Sequence, residues 1–125
     1  MDLDTIAFFG AEAQALGLYE LLEALVLEQI PGTQIRVQKT QISFYRRRLY
    51  GCASRLRIRK KKDLPPGYLV VTFGLGRAVD DPRIEASVEP YPGRWTHHVL
   101  LWRREQVDQE LLGWLREAAD FAAAK

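Results

Sequence analysis

At Pro31-Gly32 the hydrophobic repeat of the chain changes from about 3.6 residues to 2, and this switch restricts the fold more than any other feature. Upstream, Leu18, Leu21, Leu22, Leu25, Val26 and Ile30 recur at helical spacing with Glu12, Glu20, Glu23 and Glu28 mostly between them. The pattern predicts an amphipathic helix over 11–30, closed by the proline and glycine. Gly17 inside it marks an expected close approach to a strand. A shorter helical turn is expected over 1–10, where Leu3, Ile6, Phe8 and Phe9 precede Gly10. Downstream, Ile35, Val37 and Lys39 alternate with Gln34, Arg36 and Gln38, which predicts a half-buried strand over 33–39 with Lys39 on its inward side.

The same alternation continues. Ile42 and Phe44 share a face opposite Ser43, Tyr45 and Arg47, and a turn is expected near Tyr50-Gly51. A third strand then places Cys52, Ser54, Leu56 and Ile58 inward and Arg55, Arg57 and Arg59 outward. Lys60 to Gly67 reads as a loop, because neighbouring prolines cannot donate to a ladder. Tyr68–Phe73 is β-branched and apolar, a central strand ended by Gly74 and Gly76. Asp81-Pro82 predicts a short helix over 82–88, and Trp95–Trp102 a fifth strand. Asp108 caps a last helix that turns Val107, Leu111, Leu112, Leu115, Ala118 and Ala122 toward the core. The order implies a single domain over 1–125. It is an α+β, two-layer fold with an about five-stranded, mostly antiparallel sheet and two main helices on one face.

Charge is unevenly placed. Arg36 to Lys62 holds eleven of the eighteen Lys and Arg and none of the sixteen Asp and Glu, although the net charge is only +2. Cys52 is the sole cysteine, so no intramolecular disulfide or thiol-rich metal site can form, and a reducing compartment is expected. The acidic start Met1-Asp2-Leu3-Asp4 and the lack of a long apolar run lead to the expectation of a soluble, cytoplasmic protein. No cofactor is implied: Gly74-Leu75-Gly76-Arg77 follows a strand but lacks the third glycine of a dinucleotide fingerprint.

Four stretches carry a family resemblance. They are Phe8-Phe9-Gly10 with Leu18-Tyr19-Glu20-Leu21; Lys39-Thr40-Gln41-Ile42-Ser43-Phe44; Asp81-Pro82-Arg83-Ile84 with Pro92-Gly93-Arg94-Trp95-Thr96-His97-His98-Val99; and Leu111-Leu112-Gly113-Trp114-Leu115. On these the chain resembles a bacterial domain-of-unknown-function family, number 5655, found alone or fused to other modules. The resemblance implies a compact α+β domain and brings no catalytic residue with it.

Two binding surfaces are expected. Lys39 and Gln41 at one strand end, with Arg94 and His97 near the start of another, would form a cationic, aromatic-walled notch for a small anion beside Trp95. Adjacent strand residues face opposite ways, so only one of His97 and His98 can enter it. The alternative is a nucleic-acid surface of Arg36, Tyr45, Arg47, Arg55, Arg57 and Arg59, which would neutralise phosphates and stack a base. The same charges also suit edge protection. Sequential histidines in a strand do not suit a metal, and neither histidine has a serine-elbow motif to serve, so catalytic residues are not assigned. Trp102, Trp114, Tyr19 and Phe121 suit the core or a self-association patch, and an exposed edge strand would allow pairing across a twofold axis. The expectation is a non-enzymatic binding or interaction module.

Overall fold

A computed structural model describes residues 2–124; Met1 and Lys125 of the expected 1–125 domain lie outside the described residues. Helices α1 (Leu3–Phe9) and α2 (Ala13–Gln29) precede strands β1 (Gln34–Val37), β2 (Ile42–Arg46), β3 (Arg48–Ser54), β4 (Leu69–Leu75), β5 (Ile84–Tyr91) and β6 (Arg94–Leu101), and α3 (Gln109–Ala123) closes the chain. The strands form one antiparallel sheet in the order β1-β2-β3-β4-β6-β5, with β1 and β5 at its edges. The fold is α+β, with six strands where five were expected.

Local chemistry explains the helices. Asp2 accepts the Asp4 amide at the start of α1. Asp108 accepts the Leu111 amide at the start of α3, so an otherwise orphaned donor is satisfied. Arg83 holds the same carboxylate at 2.9 Å and reaches Glu110 at 3.1 Å. Burial alone would raise the Asp108 carboxyl, but the Leu111 amide and Arg83 hold it below its usual value. α2 stops where Gly32 takes φ +87°, and the Ile30 carbonyl accepts both the Thr33 amide, at 3.3 Å, and the Thr33 hydroxyl, at 2.8 Å.

One sheet face is sealed. Ile42, Ala53, Val71 and Val99 lie in cross-strand register, as do Phe44, Gly51, Phe73 and His97, and all of them are buried in the main core with Leu22, Val26, Leu111, Leu112 and Leu115 from the helices. Gly51 is a point of close approach. A Cβ there would meet the Thr72 carbonyl oxygen at 2.9 Å and the Leu115 side chain at 3.5 Å. The opposite face carries no long helix. A smaller cluster of Tyr68, Val70 and Leu100 covers one end of it, packed by Ile58, Leu64 and Trp102.

Several local expectations are corrected. β3 runs from Arg48 to Ser54, not through Arg59. Its turn from β2 falls at Arg47, which adopts φ 65°, rather than at Tyr50-Gly51. Ala53 therefore points to the core while Cys52 and Ser54 face away. Leu56 is 50% exposed and Arg55 half-buried in an irregular segment, the reverse of what was expected of that pair, while Arg57 is exposed and Ile58 packs on the Tyr68 cluster as expected. β1 ends at Val37, which leaves Lys39 exposed in the turn and not on an inward strand position. Residues 84–91 form an edge strand instead of a helix, because the Asp81 carboxylate accepts the Arg83 amide in a local turn and β6 offers a ladder. Gly74 lies within β4 rather than ending it. No strand approaches Gly17, where a Cβ would meet nothing within 4 Å.

Two glycines should therefore respond oppositely to the same substitution. Gly17→Ala should raise unfolding stability by about 1 kcal/mol through helix propensity. Gly51→Ala should lower it by roughly 1–3 kcal/mol by pushing β3 away from β4 and α3. Chemical denaturation of the two variants beside the parent measures both.

Candidate functional site

On the sheet face opposite the main core, alternation brings out a polar row across four strands. Ser43 lies opposite Cys52, Cys52 opposite Thr72, and Thr72 opposite His98. The Thr72 hydroxyl sits 2.8 Å from His98 Nδ1. Gln41 Nε2 donates to Ser43 Oγ at 2.8 Å, and Ser43 in turn donates to Gln38 Oε1. These bonds satisfy Ser43, which is fully buried.

A groove runs over this floor as two adjoining cavities. The larger, about 520 Å³, is lined by Phe8, Lys39, Thr40, Gln41, Cys52, Ser54, Arg55, Leu56, Thr72 and His98. The smaller, about 170 Å³, takes in Leu49, Gly51, Gly74 and Arg94 and shares Gln41, Cys52 and Thr72 with the first. Gly74 is what lets Arg94 lie on the floor, since a Cβ there would come within 2.6 Å of its guanidinium. Lys39 and Arg94 take part in no ion pair among the described residues. Arg55 stands over the Tyr68 ring at 4.2 Å and reaches Glu12 at 3.3 Å.

Three of the four residues expected in the notch, Lys39, Gln41 and Arg94, thus lie along this groove. The fourth does not. His97 is wholly buried on the core face, stacked on Phe73 with ring centroids 5.2 Å apart, and its Nε2 accepts the Val79 amide at 3.0 Å. His98 faces the groove in its place. Neither imidazole is bonded to a serine: Thr72 engages one and Val79 the other. Burial pushes both imidazoles below the usual histidine pKa.

The six residues of the expected nucleic-acid surface are dispersed. Arg36 covers the Tyr45 ring at 4.3 Å near the β1 edge, Arg47 forms the β2–β3 turn, and Arg57 is exposed in the segment after β3. Arg59 is held by Glu85 through two bonds of 2.7 and 2.6 Å. With Arg55 half-buried, the described residues form no single arginine-lined strand face.

The order of side chains along the chain matches one known domain. The chain belongs to the family described as Domain of unknown function (DUF5655). The match covers residues 7–122, nearly the whole sequence. No curated protein and no solved structure matches the chain. No helix of this DUF5655 domain is long and apolar enough to cross a membrane among the described residues.

Cys52 and Thr72 were the groove residues hardest to find in the sequence. Alternation read from the sequence turns Cys52 toward the core, whereas the observed strand turns Ala53 there, and Thr72 sits in an otherwise apolar run.

The buried His97 has a measurable consequence. A base whose folded pKa lies below its unfolded value binds fewer protons when folded. Its stabilising effect is therefore complete above the unfolded pKa of roughly 6.5 and is lost as the pH falls toward the folded value. Denaturation midpoints should drop below about pH 6.5, and His97→Gln should flatten that dependence, leaving the part due to His98.

Proposed function

We propose that this DUF5655 domain is a binding module whose groove, on the sheet face away from α2 and α3, takes a small, elongated anion. The single observation that carries this reading is the pair of cations, Lys39 and Arg94, unmatched by any carboxylate among the described residues and set on either side of a shared polar floor. Between them, Gln41, Thr72 and His98 offer amide, hydroxyl and imidazole groups to orient a ligand. A neutral His98 contributes hydrogen bonding rather than charge, so the anion's charge falls on the two ends. Sites of a few hundred cubic ångströms with a few convergent polar groups are of the size that holds small molecules.

The reading as an arginine-lined nucleic-acid surface has less support. Arg59 is neutralised by Glu85, Arg55 is partly neutralised by Glu12, and a flat phosphate-tracking face needs charges that act together.

Titration with succinate and with pyrophosphate, followed by amide NMR, tests the proposal. Shifts should concentrate at Lys39, Gln41, Cys52, Thr72, Arg94 and His98. Lys39→Ala and Arg94→Ala should each weaken binding about tenfold, the scale of one lost charge-assisted contact. Gly74→Ala should do the same while leaving both cations in the sequence, because its Cβ drives Arg94 off the floor. Shifts confined to Arg47, Arg57 and Lys60–Lys62, or no shift at millimolar ligand, would remove the groove as the site.

A further inference from the structure

The basic segment after β3 lines a further cavity, of about 450 Å³, which meets the groove at Arg55. Three cations line it, Arg55, Arg57 and Lys61, against one carboxylate, Glu12. Glu12 lies 3.3 Å from Arg55. Arg57 and Lys61 are exposed and take part in no ion pair among the described residues. Leu64, Pro65 and Pro66 add an apolar wall.

The segment that bears these charges belongs to no strand, yet it is held in place. The Tyr68 hydroxyl donates to the Arg55 carbonyl at 2.7 Å, and the Arg55 guanidinium lies over the same ring at 4.2 Å. Arg59 is fastened to Glu85 by two bonds and reaches the Asp63 carbonyl at 3.4 Å. Arg57 thus sits between two anchored residues. Lys61 opens a single helical turn in which the Asp63 amide donates to the Lys60 carbonyl at 2.8 Å. Gly67, at φ +65°, packs so closely on α2 that a Cβ would come within 2.6 Å of the Gln14 side chain. A loop ordered before its ligand arrives loses less entropy on binding than a mobile one.

We infer that this cavity is a second anion site, taking the dianionic head of a small phosphate monoester. The donor set selects that chemistry. Two guanidinium forks and an ammonium offer more N–H groups than the two oxygens of a carboxylate can accept, whereas the terminal oxygens of a phosphate monoester can engage all three cations. Three cations against one carboxylate leave two positive charges, which matches a dianion rather than the single charge of a phosphodiester. The carbon body of the ester is left to Leu64, Pro65 and Pro66, in a cavity of small-molecule size. The Tyr68 ring is already covered by Arg55, so it is no platform for stacking a strand of bases. Neither Lys39 nor Arg94 lines the cavity, and the site therefore does not depend on the groove reading.

Titration of the folded domain with phenyl phosphate, followed by amide NMR, tests the site. Saturable one-to-one shifts should appear at Arg57, Lys61, Leu64 and Tyr68. Arg57 and Lys61 are exposed, so their alanine variants should fold as the parent does, and each should weaken binding about tenfold. Glu12→Gln removes the competing carboxylate and should tighten binding about threefold to tenfold. Methyl phenyl phosphate, a diester with one charge, should bind at least about tenfold more weakly than the monoester. Shifts confined to Lys39, Thr72, Arg94 and His98 would overturn this site and leave the groove reading intact. Shifts spread without saturation over Lys60, Lys62 and other surface cations, the mark of an adventitious ion only, would overturn it too. So would a diester bound as tightly as the monoester, or a single-stranded oligonucleotide that displaces phenyl phosphate from Arg57 and Lys61 at lower concentration, since either result points to a nucleic-acid backbone.

Discussion

The alternation of side chains across β2, β3, β4 and β6 is the constraint on which the rest depends. Phe44, Phe73 and His97 must lie under the helices to complete the core, with Gly51 leaving room for Leu115. Once they do, a strand period of two leaves Ser43, Cys52, Thr72 and His98 no choice but the other face. The polar floor of the groove is therefore the obverse of the hydrophobic core. A slip of one residue in any of these strands would bury the floor and expose the core together.

Charge is arranged around this frame in two ways. Arg59, Arg77 and Arg83 are tied to Glu85, Glu117 and Asp108 and fasten loops or an edge strand to the body of the domain. Pairs of this kind, largely exposed to solvent, contribute little to stability individually and more to the placement of the segments that bear them. Lys39 and Arg94 are free of such partners among the described residues, and the difference separates structural cations from those available to a ligand.

Most of the architecture was legible in the sequence because it follows from local periods. All three helices, β1, β2, β4 and β6 were expected near their observed places, and the cap at Asp108 was read correctly. What failed did so for identifiable reasons. Leu56 and Ile58 alternate with Arg55, Arg57 and Arg59 as in a half-buried strand, yet Leu56 lies in solvent and the strand ends at Ser54. β5 has almost no apolar face to announce it, since from Ala86 onward it is exposed, so a local Asp-Pro signal prevailed over an unseen pairing with β6. The choice between His97 and His98 was undetermined because Val99, Leu100 and Leu101 are all buried, one side by the main core and the other by the Tyr68 cluster, which erases the parity.

The two cations of the groove are rooted differently from its floor. Lys39 belongs to the short connection between β1 and β2, and Arg94 begins β6 directly after the Tyr91-Pro92-Gly93 turn, where β5 offers little but its ladder. The floor residues stand on strands locked on both sides. Distance between the charged ends is thus governed by two peripheral turns, while the distance from either end to the sulfur and imidazole is measured from a rigid platform. A groove built this way has an adjustable span and a fixed centre, so in the proposed binding role it would sort guests by what lies at their middle rather than by their overall length.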